Sequence, residues 1–125
     1  MGSNSQSTVE FDRAGLVAAF GGDASALCEM VAIVAKSVPQ HVAELRAAAK
    51  RGDASAVAAE AHAVRGTVGN VGAATVADLA REIEMTARTG STVSEMAFDG
   101  LERAAQELVA AMSTWSQSLR RPGRW

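Results

Sequence analysis

The chain has 125 residues, the size of one compact domain, and 48% of them are apolar, enough for a single core. Alanine leads a composition with 4% aromatics and no tyrosine, which suits closely packed helices and argues against a sheet. A net charge of −2 excludes the basic footprint of a nucleic-acid binder, since the one dense basic cluster (Arg120, Arg121 and Arg124) lies at the C-terminus beside Pro122 and Gly123.

The start of the chain, Met1 to Gln6, is polar, and residues 1–10 read as a disordered N-terminal segment. From Phe11 onward the pattern is helical. Asp12 is a candidate N-cap, with Phe11 and Leu16 placed as a hydrophobic staple, and a short first helix stops at Gly21-Gly22. Asp23 caps a second helix whose apolar stripe runs through Leu27, Val31, Val34, Val38, Val42 and Leu45. Pro39 lies inside it and predicts a kink or a division into two segments. Gly52 closes that unit and Asp53 caps the next, which carries Val57, Ala61, Val64, Val68 and Val71 and stops at Gly72. Thr75 with Asp78 resembles a capping box for a fourth stripe of Val76, Leu79, Ile83 and Ala87. After Gly90-Ser91, Thr92 with Glu95 resembles another. Phe98, Leu101, Ala105, Leu108, Met112, Trp115 and Leu119 then form the longest stripe, and residues 120–125 read as a disordered tail. One short and four longer amphipathic segments joined by short turns predict an all-α fold: an antiparallel four-helix bundle over residues 11–119 with a short N-terminal covering helix.

Cys28 is the lone cysteine, so no internal disulfide can form, and a thiol in an apolar helical stretch fits a reducing compartment. The longest purely apolar run, Met30 to Ala35, is far short of the roughly 20 residues needed to span a bilayer. The N-terminus lacks the apolar core of a signal peptide. These features predict a cytoplasmic, monomeric module with no membrane contact.

One stretch departs from what a stable helix prefers: His62-Ala63-Val64-Arg65-Gly66-Thr67-Val68-Gly69. With Val64 set at zero on a helical wheel, the apolar stripe spans roughly −20° to 60°. His62, Arg65, Gly66 and Gly69 fall at roughly 160°, 100°, 200° and 140°, on the face turned from the core. Each mid-helix glycine costs about 1 kcal/mol relative to alanine. A helix face bare of side chains makes physical sense where something must approach the backbone beside the imidazole. Histidine is a nucleophile able to hold a phosphoryl group covalently, and Arg65 offers a forked cationic donor to it. Phosphoryl transfer otherwise needs positioning and charge neutralisation. No acidic cluster for Mg²⁺ and no glycine-rich phosphate loop accompanies the histidine, so the metal and most catalytic groups are expected from a partner.

The run Ala61-His62-Ala63-Val64-Arg65-Gly66-Thr67, followed by Gly72-Ala73, resembles the signature of the histidine-containing phosphotransfer (HPt) family. The resemblance takes in Gly52-Asp53 and the Leu79…Ile83-Glu84 pattern, and covers roughly residues 11 to 116. It implies a four-helix bundle that is a phosphoryl carrier and not an enzyme. His62 would accept phosphate from a receiver-domain aspartate and pass it to another, with Arg65 as charge partner and Gly66 and Gly69 as docking clearance. Arg65 stands where the family more often has lysine. The implied partners are response-regulator receiver domains or a hybrid sensor histidine kinase, with no cofactor on this chain and Mg²⁺ in the partner receiver. A second implied reading is the phospho-accepting module of a chemotaxis-type histidine kinase, phosphorylated by an ATP-binding domain. The sequence holds no ATP-binding segment, which favours the relay. His41, beside the apolar stripe of the second helix, reads as a boundary residue without function, and two histidines with one cysteine far apart make a poor metal site.

Overall fold

The computed structural model describes residues 9–120. They form five helices: α1 (Arg13–Ala19), α2 (Ala24–Lys50), α3 (Ala54–Asn70), α4 (Ala74–Arg88) and α5 (Glu95–Leu119), with no strand among the described residues. Short turns join the four long helices, so consecutive ones run antiparallel. α2 packs on α3, α3 on α4, α4 on α5 and α5 on α2, which closes a four-helix bundle. The predicted stripes meet along its axis, and Leu45, Val64, Val68, Val76, Leu101 and Leu108 are fully buried there. None of the described helices is long and apolar enough to cross a membrane.

The predicted punctuation is largely where the backbone turns. Asp12, Asp23 and Asp53 accept from the amides of Gly15, Ala26 and Ala56 at 2.9, 3.1 and 3.0 Å, satisfying donors that a helix start leaves without partners. Gly72 ends α3 at φ +73°, a left-handed conformation in which a Cβ would also lie 2.6 Å from Asp12 Cβ.

Several expectations need correction. Of the two outcomes expected at Pro39, a kink or a division, the division does not occur: α2 is one span of 27 residues. The proline is exposed, while Val34, Val38, Val42 and Leu45 keep one buried stripe along the helix. α4 starts at Ala74 with Ala73 as N-cap and no side-chain cap, so Thr75 and Asp78 form no capping box. Instead the Glu10 carboxylate reaches the Thr75 amide at 3.4 Å. α5 is capped by Ser94, which accepts from Ala97 N at 3.1 Å, two residues after the expected Thr92. Val93 is the reason, since it turns inward to pack on the core before the helix begins.

Val9 and Glu10, assigned from the sequence to a disordered segment, are also placed. Val9 is buried, and Glu10 serves α4. Arg120, assigned to the tail, forms the C-cap of α5. The remaining residues of both expected tails, 1–8 and 121–125, lie outside the described residues. The covering helix is secured to the end of the bundle at the α3–α4 turn. Asp12 N donates to Val71 O at 2.9 Å, Leu16 is buried, and Phe11 meets Trp115 edge-on with centroids 5.4 Å apart.

Candidate functional site

The rotation of α3 is set by Ala61, Val64 and Val68, each 0% exposed. That leaves His62, Gly66 and Gly69 on the outer face, as the wheel predicts. The His62 side chain is 60% exposed. A Cβ added at Gly66 or Gly69 would meet nothing within 4 Å, so the clearing beside the imidazole is open to solvent and no neighbouring helix fills it. Arg65 is half-buried and leans toward α4.

The structure adds a residue to which the apolar stripe gives no weight. Glu84 of α4 is 4% exposed. Periodicity counts a glutamate as outward, yet Glu84 lies four residues after the fully buried Ala80 and continues the face of Val76 and Ala80. The buried face of α4 is therefore rotated from the predicted one: Ala80 and Glu84 are inside, and Leu79 is only partly covered. Four charged or ring nitrogens surround the Glu84 carboxylate. Oε2 lies 3.0 Å from His62 Nδ1 and accepts from Arg88 Nε at 3.0 Å and Arg88 Nη2 at 2.8 Å. Oε1 lies 3.1 Å from Arg65 Nε, but without hydrogen-bond alignment, so these two buried atoms have no hydrogen-bond partner. Burial pushes the Glu84 carboxyl up, but the hydrogen bonds from Arg88 and His62 and the charge of Arg65 outweigh it and hold the group below the ordinary carboxylate range. Glu84 is ionised at neutral pH.

An ionised carboxylate is an acceptor only, and this decides the tautomer of His62. The contact with Oε2 is a hydrogen bond only when Nδ1 carries the proton and donates. Arg65 Nη2 stands 3.0 Å from the same nitrogen and is aligned to donate to it, so it competes with the carboxylate for Nδ1. We assign the proton to Nδ1 because Oε2 can only accept, whereas Arg65 can turn to another acceptor. The lone pair is left on Nε2, on the exposed side of the ring. No hydrogen bond from the described residues engages it.

A family model described as Hpt domain matches residues 29–115, from the first turns of α2 to the last turns of α5, across both His62 and Glu84. The chain belongs to the Hpt domain family. Hpt domains act in the phosphotransfer of two-component signalling with receiver domains and kinases, as phosphocarrier modules and not as catalysts. No curated protein and no solved structure matches this chain.

Of the sequence-predicted site residues of this Hpt domain, His62, Gly66 and Gly69 share one exposed face of α3, and Arg65 stands beside them, turned to Glu84. His41 is not bare either: its Nδ1 lies 2.7 Å from Glu60 Oε1 on α3. Glu84 and Arg88 had no role in the sequence reading. The Leu79…Ile83-Glu84 pattern marked the place, but a buried carboxylate reveals itself only once α3 and α4 are packed.

Proposed function

We propose that this Hpt domain is a phosphorelay intermediate in which His62 Nε2 accepts a phosphoryl group from a receiver-domain aspartate and passes it to another receiver. The observation that carries the proposal is the 3.0 Å contact of His62 Nδ1 with the buried Glu84 carboxylate, beside a helix face that Gly66 and Gly69 leave open. An exposed imidazole whose Nδ1–H is held by a buried, ionised Glu84 presents a fixed lone pair on Nε2 over a clearing with no side chains. The Nε2 lone pair forms the N–P bond as the acyl-phosphate P–O bond breaks and the aspartate leaves as carboxylate. Nδ1 keeps its proton, and the positive charge that develops on the ring faces Glu84. In the reverse direction an aspartate oxygen attacks the same phosphorus and neutral imidazole leaves. Arg65 is the residue within reach to neutralise the phosphoryl oxygens. Gly66 and Gly69 leave room for the partner's active-site loops. Mg²⁺ and the remaining catalytic groups belong to the receiver, and this chain supplies the nucleophile, its orientation and one cation.

Replacement of His62 by glutamine tests the reading. His62→Gln should abolish label uptake from a phosphorylated receiver and shift stability by only about 0.5–1 kcal/mol, because the ring is exposed while one hydrogen bond to Glu84 is altered. Uptake at the wild-type rate by the variant would remove His62 as the acceptor. Presenting the wild-type domain separately to a phosphorylated receiver and to a kinase core with ATP identifies which donor it serves.

A further inference from the structure

Glu84 holds more positive charge than a tautomer-setting carboxylate requires, and holds it unequally. Arg88, four residues on along α4, grips Oε2 through two nitrogens at 3.0 and 2.8 Å. Arg65, on the helix of His62, stands 3.1 Å from Oε1 with both atoms buried and neither hydrogen-bonded. One guanidinium directs two N–H groups at a single oxygen, the same Oε2 that faces His62 Nδ1, and so holds that oxygen and its charge in place. The other is close but misaligned, and it flanks the imidazole.

The geometry points to a positioning role for Arg88: it keeps Glu84 ionised and aimed at His62 Nδ1 while Arg65 turns away from Glu84 to meet the phosphoryl group on Nε2. This rests on the reading of His62 as phosphoryl acceptor. Were Arg65 the sole counter-ion, its departure would strand a buried charge, and Glu84 would take up a proton. A protonated Glu84 could donate to Nδ1 and move the ring proton to Nε2, the atom that must attack. With Arg88 in place the carboxylate stays compensated whichever way Arg65 faces. When the phosphoryl group leaves, Arg65 can return to Oε1. Arg88 then acts through Glu84 and never touches the phosphorus. The division follows from the connectivity: Arg88 shares a helix with the carboxylate it serves, and Arg65 with the histidine it serves.

Phosphoramidate tests this without a protein partner. Nε2 forms the N–P bond, the P–N bond of the zwitterionic donor breaks, and ammonia leaves. Wild-type domain, Arg88→Met and Arg88→Lys are compared, with Arg81→Met as a control for loss of a cation from the same face of α4. Imidazole ¹⁵N resonances report the tautomer, and NMR of the product reports which ring nitrogen carries phosphorus. The wild type and Arg81→Met should show Nδ1–H and phosphorylation at Nε2 alone. Arg88→Met should show mixed tautomers, product at both nitrogens and a rate lower by at least about tenfold, in line with loss of a partner that orients a histidine. Arg88→Lys should recover part of each. An unchanged tautomer and a single product in Arg88→Met overturn the role, whether or not its melting temperature falls. If that variant loses its helical signal, Arg88→Lys and Arg88→Gln carry the comparison, and an unchanged tautomer in both is equally decisive. A wild-type domain that takes no label at His62 sinks the acceptor reading, while the tautomer comparison still decides the part played by Arg88.

Discussion

His62 and His41 share one local arrangement, since each directs Nδ1 at a carboxylate on the neighbouring helix, at 3.0 and 2.7 Å. What separates them is the surroundings. His62 has Arg65 three residues on and glycines four and seven on, whereas the residues three, four and seven after His41 are Glu44, Leu45 and Ala48, which offer neither cation nor glycine clearance. The tautomer alone does not make a phosphoryl acceptor; charge and access complete it. Access is where glycine can be tested. Gly69 has ordinary helical φ and open space around a virtual Cβ, so Gly69→Ala should stabilise the domain by about 0.5–1 kcal/mol through backbone entropy. Gly69→Leu should still fold and slow transfer by crowding the partner. Gly72 is the opposite case. Its positive φ costs an L-residue roughly 1–2 kcal/mol, and a methyl there would strike Asp12 besides, so Gly72→Ala should lower the melting temperature. Thermal melts on the three variants separate a glycine kept for access from one kept for conformation. A destabilised Gly69→Ala would mean that the clearing is a packing site.

The helices themselves show how caps are shared between near and distant residues. Three starts are capped by an aspartate that immediately precedes the helix, and α5 by Ser94. α4 has Ala73 in that place and relies on Glu10, sixty-five residues back, for its Thr75 amide. Ser94→Ala should therefore cost about 1 kcal/mol in chemical denaturation, and Thr92→Ala close to nothing. The reverse ranking would restore the start that the Thr92 and Glu95 spacing suggests. For α4, the hydrogen bond with Thr75 is the first reason that Glu10 is held below its ordinary carboxyl value, and it links the covering segment to the helix that carries Glu84.

At the scale of the whole molecule these two carboxylates contribute to the acid limb of stability. Both Glu10 and Glu84 are held below the ordinary 4.5 in the folded state. A group so depressed contributes stability that is fully present well above 4.5 and is lost as pH falls through the folded value. Urea unfolding should give a stability that declines below about pH 5, and a Glu84→Gln variant should decline less. A Glu84→Gln profile parallel to the wild type would show that folding does not lower the Glu84 carboxyl below its ordinary value. The same scale governs metal dependence. Transfer between this domain and a receiver should require Mg²⁺, while calorimetry on the isolated domain should find no tight Mg²⁺ site. A saturable micromolar site on the free domain would relocate the metal to this chain and remove the division of labour proposed here.

The elements and the exposed motif were legible from the sequence because both depend on local periodicity. Valine and leucine at steps of three and four set which face of each helix is buried. Once α3 is oriented by Ala61, Val64 and Val68, His62, Gly66 and Gly69 must face outward. Tertiary structure decided what depends on contact between segments. Glu84 is buried because α3 and α4 pack with a rotation that periodicity alone does not specify, and its charge is tolerated there because Arg88, Arg65 and His62 converge on it from two helices. Glu10 serves α4 only because Phe11 and Leu16 anchor the covering segment over the α3–α4 turn. α2 runs through Pro39 because the ring is exposed while Val34, Val38, Val42 and Leu45 are held in the core. The position of His62 was thus readable in one dimension. The state of its ring, proton on Nδ1 and lone pair on Nε2, came only from the carboxylate that folding brings beside it.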